Sequence, residues 1–348
     1  MKIGILTYHS GFNNGGFLQC YSLFKVILKL GHDVKVINYS EFNHWKKEYI
    51  ILLFTRKISL LIANLKKINK YHNLQKRISK TRLILNKTKI NKSRFDLIIV
   101  GSDEIWNYSN PMVTDNSAYF GIGYEVNKLI SYGASFGWTD KNTILPQYLV
   151  NGLKKFSKIT VRDTNSKNII LNNLNFSPEQ VLDPTFLYDF SPENTYCPSN
   201  NYILIYSVGF DPATISNIKL FSKKTGLKTI SVSYKNEWCD LQALTLDPFQ
   251  WLGCIKNADL VITNKFHGTV FSIKYKKKFI TIKEPASANK IQSLITEFGL
   301  NSRYVDLIED GTIEKLYSDD YPNHFEELLN QKIASSMAVL NKTLSNEL

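Results

Sequence analysis

The chain has 348 residues, enough for one large or two ordinary domains, and 43% are hydrophobic, enough for a substantial core. Cys20, Cys197, Cys239 and Cys254 form no C-x-x-C pair and have no nearby His at zinc spacing, which argues against a disulfide scaffold or a zinc module. The formal charge is +13, but Lys46–Arg94 holds 15 Lys plus Arg against one acid, Glu48, so that segment is +14 and the remainder +13 minus +14, or −1.

No run of about 18 uncharged apolar residues occurs, so no spanning helix is expected. The N-terminus runs straight into a strand without a signal-like apolar core, and a cytoplasmic protein is expected.

Lys2–Leu6 reads as the first strand. The polar, Gly-rich turn Ser10–Gly16 follows. It is neither G-x-G-x-x-G nor a Walker loop, and a tight turn explains its glycines as well as a ligand does. Phe17–Leu30 has Leu18, Tyr21, Leu23, Val26, Ile27 and Leu30 at helical spacing, and Gly31 is placed to end that helix. Asp33–Asn38 is the next strand, so the sheet begins parallel.

Trp45–Arg94 differs in kind. It mixes apolar clusters (Ile50–Phe54, Ile58, Leu60–Ile62, Leu65, Ile68) with its many cations and lacks Gly and Pro, which suits one or two helices. One reading is a basic amphipathic segment on an anionic membrane surface. The other is a solvated helical face. Nucleic acid is disfavoured, because no recognition motif or aromatic platform is present.

Phe95–Val100 reads as a buried strand leading into Gly101-Ser102-Asp103-Glu104-Ile105-Trp106-Asn107. Adjacent side chains point apart, so Asp103 and Glu104 suit structural or acceptor-binding roles better than paired acid–base work. The strand Lys128–Tyr132 ends in Gly133-Ala134-Ser135-Phe136-Gly137, a loop suited to close ligand approach or to tight packing. Pro146–Phe156 reads as a helix and Ile159–Val161 as a strand. Arg162-Asp163 closes that strand before the helix Ser166–Leu174. Arg162 there suits bidentate anion binding, or an ion pair with Asp163 or a neighbouring carboxylate. The polar, Pro-punctuated stretch Ser191–Asn201 reads as a domain linker.

A second alternation begins at Tyr202–Ser207. Helices are expected at Pro212–Lys224, Pro248–Lys256, Thr269–Tyr275, Ala288–Phe298 and Asn323–Leu344, and strands at Lys228–Val232, Leu260–Thr263 and Lys278–Ile282. Lys265 and His267 lie between the strand Leu260–Thr263 and the helix opened by Gly268 and Thr269, the edge where open α/β sheets bind ligands. A helix start there suits phosphate or carboxylate. His267 alone fits a capping or packing role equally well.

These blocks, with Leu18-Gln19, Val161-Arg162-Asp163, Leu182-Asp183-Pro184-Thr185 and Lys265-Phe266-His267-Gly268, occur in an order that resembles the polysaccharide pyruvyl transferase family over roughly residues 1 to 285. The two-half layout and the resemblance both imply an α/β protein of two Rossmann-like domains with a central cleft, GT-B-like. Residues 1–190, with a basic helical insertion at about 44–94, form the first. Residues 191–348 form the second, whose last helix packs back on the first.

The resemblance implies phosphoenolpyruvate as donor and a sugar, or a lipid-linked oligosaccharide, as acceptor. The product is a cyclic ketal of a surface polysaccharide or its precursor. Arg162, Lys265, Gly268 and Thr269 would bind the donor, with His267 as general acid–base. Asn13, Asn14, Gln19, Asp103 and Ser135 would meet the acceptor. No cofactor besides the donor and no metal is expected. A peripheral place on the inner membrane face, through residues 46–94, is the partner reading.

Lys265 is a departure. The family's patterns place Arg there, or Ser in a Thr-Asp-Ser-Phe-His-Gly context; Lys keeps the charge and loses the fork geometry. Two rivals stand beside this reading, because fold does not fix function: a GT-B-type glycosyltransferase using a nucleotide-sugar, and a non-catalytic membrane-surface glycan-binding protein.

Overall fold

Short apolar runs buried along their whole length form the central strands Leu97–Val100, Tyr202–Tyr206, Leu260–Thr263 and Phe279–Ile282. The computed structural model describes residues 1–40, 42–55, 58–110, 115–191, 193 and 200–345. Two compact units result: Met1–Asp189 with Asn330–Leu348, and Phe190–Leu329. Most of the expected linker, Ser191–Asn201, lies outside the described residues, as does Cys197. Cys20, Cys239 and Cys254 are buried.

The first unit runs β1 (Lys2–Leu6), α1 (Asn14–Lys29), β2 (Asp33–Val36), α2 (Phe42–Leu53), α3 (Ile58–Leu74), β3 (Leu97–Val100), β4 (Lys128–Ser131), α4 (Gln147–Leu153), β5 (Thr160–Val161), α5 (Thr164–Leu174), β6 (Glu179–Gln180) and α6 (Pro184–Leu187). Strands β1 to β4 pair in parallel in the order β2-β1-β3-β4. All of β3, and β1 from Ile3 onward, is buried, as a parallel sheet covered on both faces requires. Trp106 anchors the core on one side. Its ring sits 5.3 Å from Phe136 and 5.8 Å from Phe156, and its indole N–H donates to the Tyr119 carbonyl at 2.8 Å.

The basic segment is helical only in its first half. After α3 the chain takes short 3-10 turns and makes single parallel bridges, Val36↔Lys80 and Tyr39↔Ile84, beside β2. Ile78 and Ile84 turn inward there. Their burial against the sheet outweighs the helix propensity of a stretch without Gly or Pro.

The second unit runs β7 (Tyr202–Tyr206), α7 (Pro212–Thr225), β8 (Lys228–Val232), β9 (Leu241–Ala243), α8 (Pro248–Asn257), β10 (Leu260–Thr263), α9 (Phe266–Lys274), β11 (Phe279–Ile282), α10 (Ala288–Glu297), β12 (Tyr304–Val305) and α11 (Thr312–Ser318). Its parallel sheet has the order β12-β11-β10-β7-β8-β9. Aspartates start two of its helices. Asp211 caps α7, and Asp247 forms a reciprocal capping box with Gln250 on α8.

The last helix, α12 (Phe325–Leu344), begins in the second unit, and its residues from Asn330 group with the first. Ser336 accepts from the Leu182 N–H at 3.0 Å, and Lys128 donates to the Thr343 carbonyl at 3.0 Å. A single division at 191 assigns this helix wholly to the second unit; its contacts place the larger part with the first. No described helix is long and apolar enough to cross a membrane.

Candidate functional site

Strand order decides where each sheet opens. In the first unit the chain leaves β1 for β2 on one side, then crosses to β3 and β4 on the other. The loops after β1 and β3 therefore part at the strands' carboxyl ends, the usual ligand position of an open α/β sheet. A cavity of about 260 Å³ lies there, lined by His9, Asn13, Tyr39, Asp103, Glu104 and Tyr119 among others.

The loops are held by polar side chains. Asn13 is exposed and starts α1 by accepting from the Gly16 N–H at 3.2 Å. The Gln19 amide reaches Thr7 Oγ1 at 3.1 Å, the Tyr8 carbonyl at 2.9 Å and the Gly16 carbonyl at 3.0 Å. The Thr7 hydroxyl donates to the Ser102 carbonyl at 2.7 Å, which joins the two loops. Asn14 is buried and accepts from the Tyr71 hydroxyl. Ser135 is fully buried and donates to Asp163 at 2.7 Å. Of the five expected acceptor residues, Asn13 and Asp103 line the cavity; Asn14, Gln19 and Ser135 face inward, where they shape the loops.

Asp103 and Glu104 do point apart. Asp103 accepts from Arg162, whereas Glu104 accepts from Asn107 at 3.1 Å. Gly137 makes room for Glu104: a Cβ at that position would overlap the carboxylate, and its φ of +59° favours glycine as well. The small-residue loop after β4 thus serves tight packing.

Arg162 sits in the interior, with a side chain only 1% exposed. Its Nη1 donates to Asp183 at 2.7 Å and its Nη2 to Asp103 at 3.1 Å. Burial opposes the charge, but Asp103, Asp183 and Asp163 outweigh it and hold the guanidinium above its ordinary pKa. Asp183 in turn caps α6 by accepting from the Thr185 N–H at 3.1 Å. Arg162 therefore fixes Asp103 beside the cavity.

His9 was not singled out by sequence reasoning. It is buried three residues beyond β1, with Nδ1 3.1 Å from the Thr7 carbonyl and Nε2 3.0 Å from Asn38 Oδ1. Burial, with the Lys80 charge, lowers its pKa, and the two hydrogen bonds offset this only in part. The unfolded chain takes up this proton near the ordinary 6.5, and the folded chain only at lower pH. Stability is therefore full above that value and declines as pH falls through the lowered one. The melting temperature should drop as pH falls below the ordinary 6.5, and His9→Gln should flatten the slope. The more exposed His32 is lowered by burial and the N-terminal charge, so a residual slope remains. A slope unchanged in His9→Gln would remove His9 as its source.

The second unit repeats the logic. The chain leaves β7 for β8 and β9 on one side and later lays β10, β11 and β12 on the other, so the opening lies between β7 and β10. Thr263, ending β10, donates to the Tyr206 carbonyl ending β7 at 2.8 Å and accepts from the Lys265 N–H at 3.0 Å. Gly268 lets the first turn of α9 lie on this junction, since an added Cβ would come within 2.5 Å of Thr263 Oγ1 and 2.9 Å of Tyr206 Cδ1.

Lys265 is the N-cap of α9 and gives its first turn no side-chain hydrogen bond. Its ammonium pairs with Glu284 at 2.7 Å and lies 5.8 Å from the Tyr234 ring centroid. His267 sits in the first turn, 9% exposed, with its ring edge-on to Phe266 at 5.1 Å. Thr269 turns inward: it donates to the Lys265 carbonyl at 3.2 Å and lies 2.9 Å from the Thr281 hydroxyl. Asn264 Oδ1 is buried with no hydrogen-bond partner among the described residues. Glu284 and Asn264 belong to this site and carry no motif that would have flagged them. Among the described residues no group of three or more His, Cys, Asp or Glu is placed to hold a metal ion.

Residues 13–284 match the family model described as polysaccharide pyruvyl transferase, a span that takes in Asp103, Arg162, Lys265 and His267. No curated protein matches the sequence significantly. Among solved structures, the UDP-GlcNAc 2-epimerase of Neisseria meningitidis bound to UDP-GlcNAc is similar at 10% identity over 99% of this chain and 100% of that one, TM-score 0.52. The UDP-GlcNAc 2-epimerase of Methanocaldococcus jannaschii, in complex with UDP-GlcNAc and UDP, is 12% identical over 96% and 99%, TM-score 0.52. The spinosyn forosaminyltransferase SpnP is 8% identical over 99% and 100%, TM-score 0.53. At such identities the likeness is one of fold: α/β, two Rossmann-like units of the GT-B class.

Proposed function

Because the chain belongs to the polysaccharide pyruvyl transferase family, we propose that it moves the pyruvyl group of phosphoenolpyruvate onto a sugar of a surface polysaccharide or its lipid-linked precursor. The product is a cyclic ketal, and phosphate is released. The observation that carries this reading is the turn Lys265-Phe266-His267-Gly268 at the opening between β7 and β10. It joins a cation, a helix start without a side-chain cap and an imidazole within four residues.

The donor bears a phosphate and a carboxylate on three carbons. Lys265 and the first-turn amides of α9 receive one of these anions, and Glu284 aligns the ammonium. The inward-facing Thr269 supports the turn, and Gly268 allows close backbone approach. Protonation of the donor's methylene carbon makes its C2 electrophilic. One sugar hydroxyl oxygen bonds to C2 and loses its proton. The second bonds to C2 as the C2–O bond to phosphate breaks, and its proton leaves with the phosphate. His267 handles one of these proton movements, as a positioned imidazole with two ring nitrogens can. In the first unit, Asn13 and Asp103 offer an amide and a carboxylate to sugar hydroxyls, with Arg162 positioning Asp103.

The test is thermal shift and phosphate release with phosphoenolpyruvate and candidate surface-glycan intermediates, beside a nucleotide-sugar panel. Stabilisation by phosphoenolpyruvate, with phosphate release that depends on an acceptor, is expected. Stabilisation confined to a nucleotide-sugar would reassign the protein as a glycosyltransferase. Glycan binding with no phosphate release from any acceptor would make it a non-catalytic binder.

A further inference from the structure

We propose that the α2–α3 hairpin docks the protein on an anionic lipid bilayer. The two helices run antiparallel. Tyr49 bonds His72 at 2.7 Å near one end, and Asn64 donates to the Leu52 carbonyl at 2.7 Å near the other. Ile50, Ile51, Phe54, Ile58, Ile62 and Leu65 are all exposed, Phe54 by 85%, Ile58 by 76% and Ile51 by 64%. Ile58, Ile62 and Leu65 fall at i, i+4 and i+7, one face of α3, while Ile68 and Tyr71 on the same helix are buried. With Leu53, also exposed, seven large apolar side chains meet solvent within sixteen consecutive residues, which is unfavourable unless something covers them.

Charge selects the covering surface. The hairpin itself, Phe42–Leu74, carries seven Lys plus Arg against one acid, Glu48, a net +6, and the chain from Gln75 to Arg94 that follows it adds eight more cations and no acid. Exposed apolar side chains flanked by lysines suit the interface of an anionic bilayer, where insertion and electrostatic attraction add. A second copy seated on this face would bring an identical basic segment against it, a like-charge contact. A polynucleotide would leave the aliphatic groups unused, and Phe54 is the only aromatic among those seven residues.

The hairpin is also firmly based. Tyr71 donates to Asn14 and Gln75 to the His9 carbonyl, while the Phe12 ring lies edge-on to Tyr49 at 5.1 Å and to Tyr71 at 5.8 Å. The apolar end is thus carried on the loop that lines the first unit's cavity. This inference does not depend on the proposed reaction, since its readout is adsorption and not turnover.

The experiment is flotation of the full chain with vesicles of phosphatidylcholine alone and with an equimolar mixture of phosphatidylcholine and phosphatidylglycerol. Binding to the mixed vesicles should exceed binding to phosphatidylcholine by at least about tenfold and weaken with added salt. The double variant Phe54→Glu, Ile58→Glu should lose at least about tenfold of that binding, with an unchanged melting curve because both side chains face solvent. Failure of the native chain to float with the anionic vesicles overturns the proposal, and so does undiminished binding by the double variant. Self-association that this variant abolishes, without any vesicle binding, assigns the face to a second copy instead.

Discussion

Arg162→Met should cost the first unit about 3–5 kcal/mol of stability, the usual cost of removing one partner from a buried ion pair. The magnitude follows from what is left behind. Asp183 has a side chain 1% exposed and would keep its charge in the interior without the Arg162 guanidinium, and Asp103, 19% exposed, would lose its ion pair. Arg162→Lys should fall between the two, because the two Nη groups serve different carboxylates and one ammonium reaches only one of them well. Adding Asp183→Asn to Arg162→Met should recover part of the loss, since the stranded charge goes while the acceptor for Thr185 remains. Urea unfolding of the first unit reads all three. A midpoint for Arg162→Met close to the parent's would mean that the pairs contribute little and that the side chain is kept for ligand contact.

His267→Ala should lower kcat by ~10²–10⁴ while the protein folds normally, the range expected for one general acid–base group. His267 stands in the first turn of α9, two residues after the cation Lys265 at the opening of its sheet, and neither His9 nor His32 shares that position. His267→Gln, which fills similar volume and keeps hydrogen-bonding capacity, should melt like the parent and still lack activity. That pairing separates proton transfer from packing against Phe266. Steady-state phosphate release is the measurement, and activity within twofold of the parent would take His267 out of the chemistry.

Much of the fold could be read from the chain because parallel strands covered on both faces become uninterrupted apolar runs. Leu260–Thr263 and Lys228–Val232 have the expected bounds, and Tyr202–Tyr206 differs by one residue. Three strands escaped notice. Glu179–Gln180, Leu241–Ala243 and Tyr304–Val305 span two or three residues, too short for any period, and exist because a neighbouring strand offers them partners. The helix at Thr312–Ser318 was also missed, for it opens after Gly311 with no side-chain cap.

Legibility of the site follows the same division. Lys265 to Gly268 could be found because it is contiguous. Arg162 could be found as a charge at a strand end, but its partners lie 59 positions before it and 21 after, and only the folded chain brings them to it. His9 and Glu104 share a cavity because β1 and β3 are neighbours, and Glu284 faces Lys265 because β10 and β11 are. Strand order of that kind is invisible in a linear string.

The strut from Tyr71 and Gln75 to Asn14 and the His9 carbonyl has a thermodynamic corollary. Any ligand that tightens the loop beside His9 also stiffens the arm, and any surface that immobilises the arm restricts the loop. Linkage makes the two effects equal: the factor by which adsorption raises a ligand's affinity is the factor by which that ligand raises the affinity for the surface. A catalyst wired in this way would be most retentive where its substrate is abundant and would release when the supply runs out, with no separate effector required.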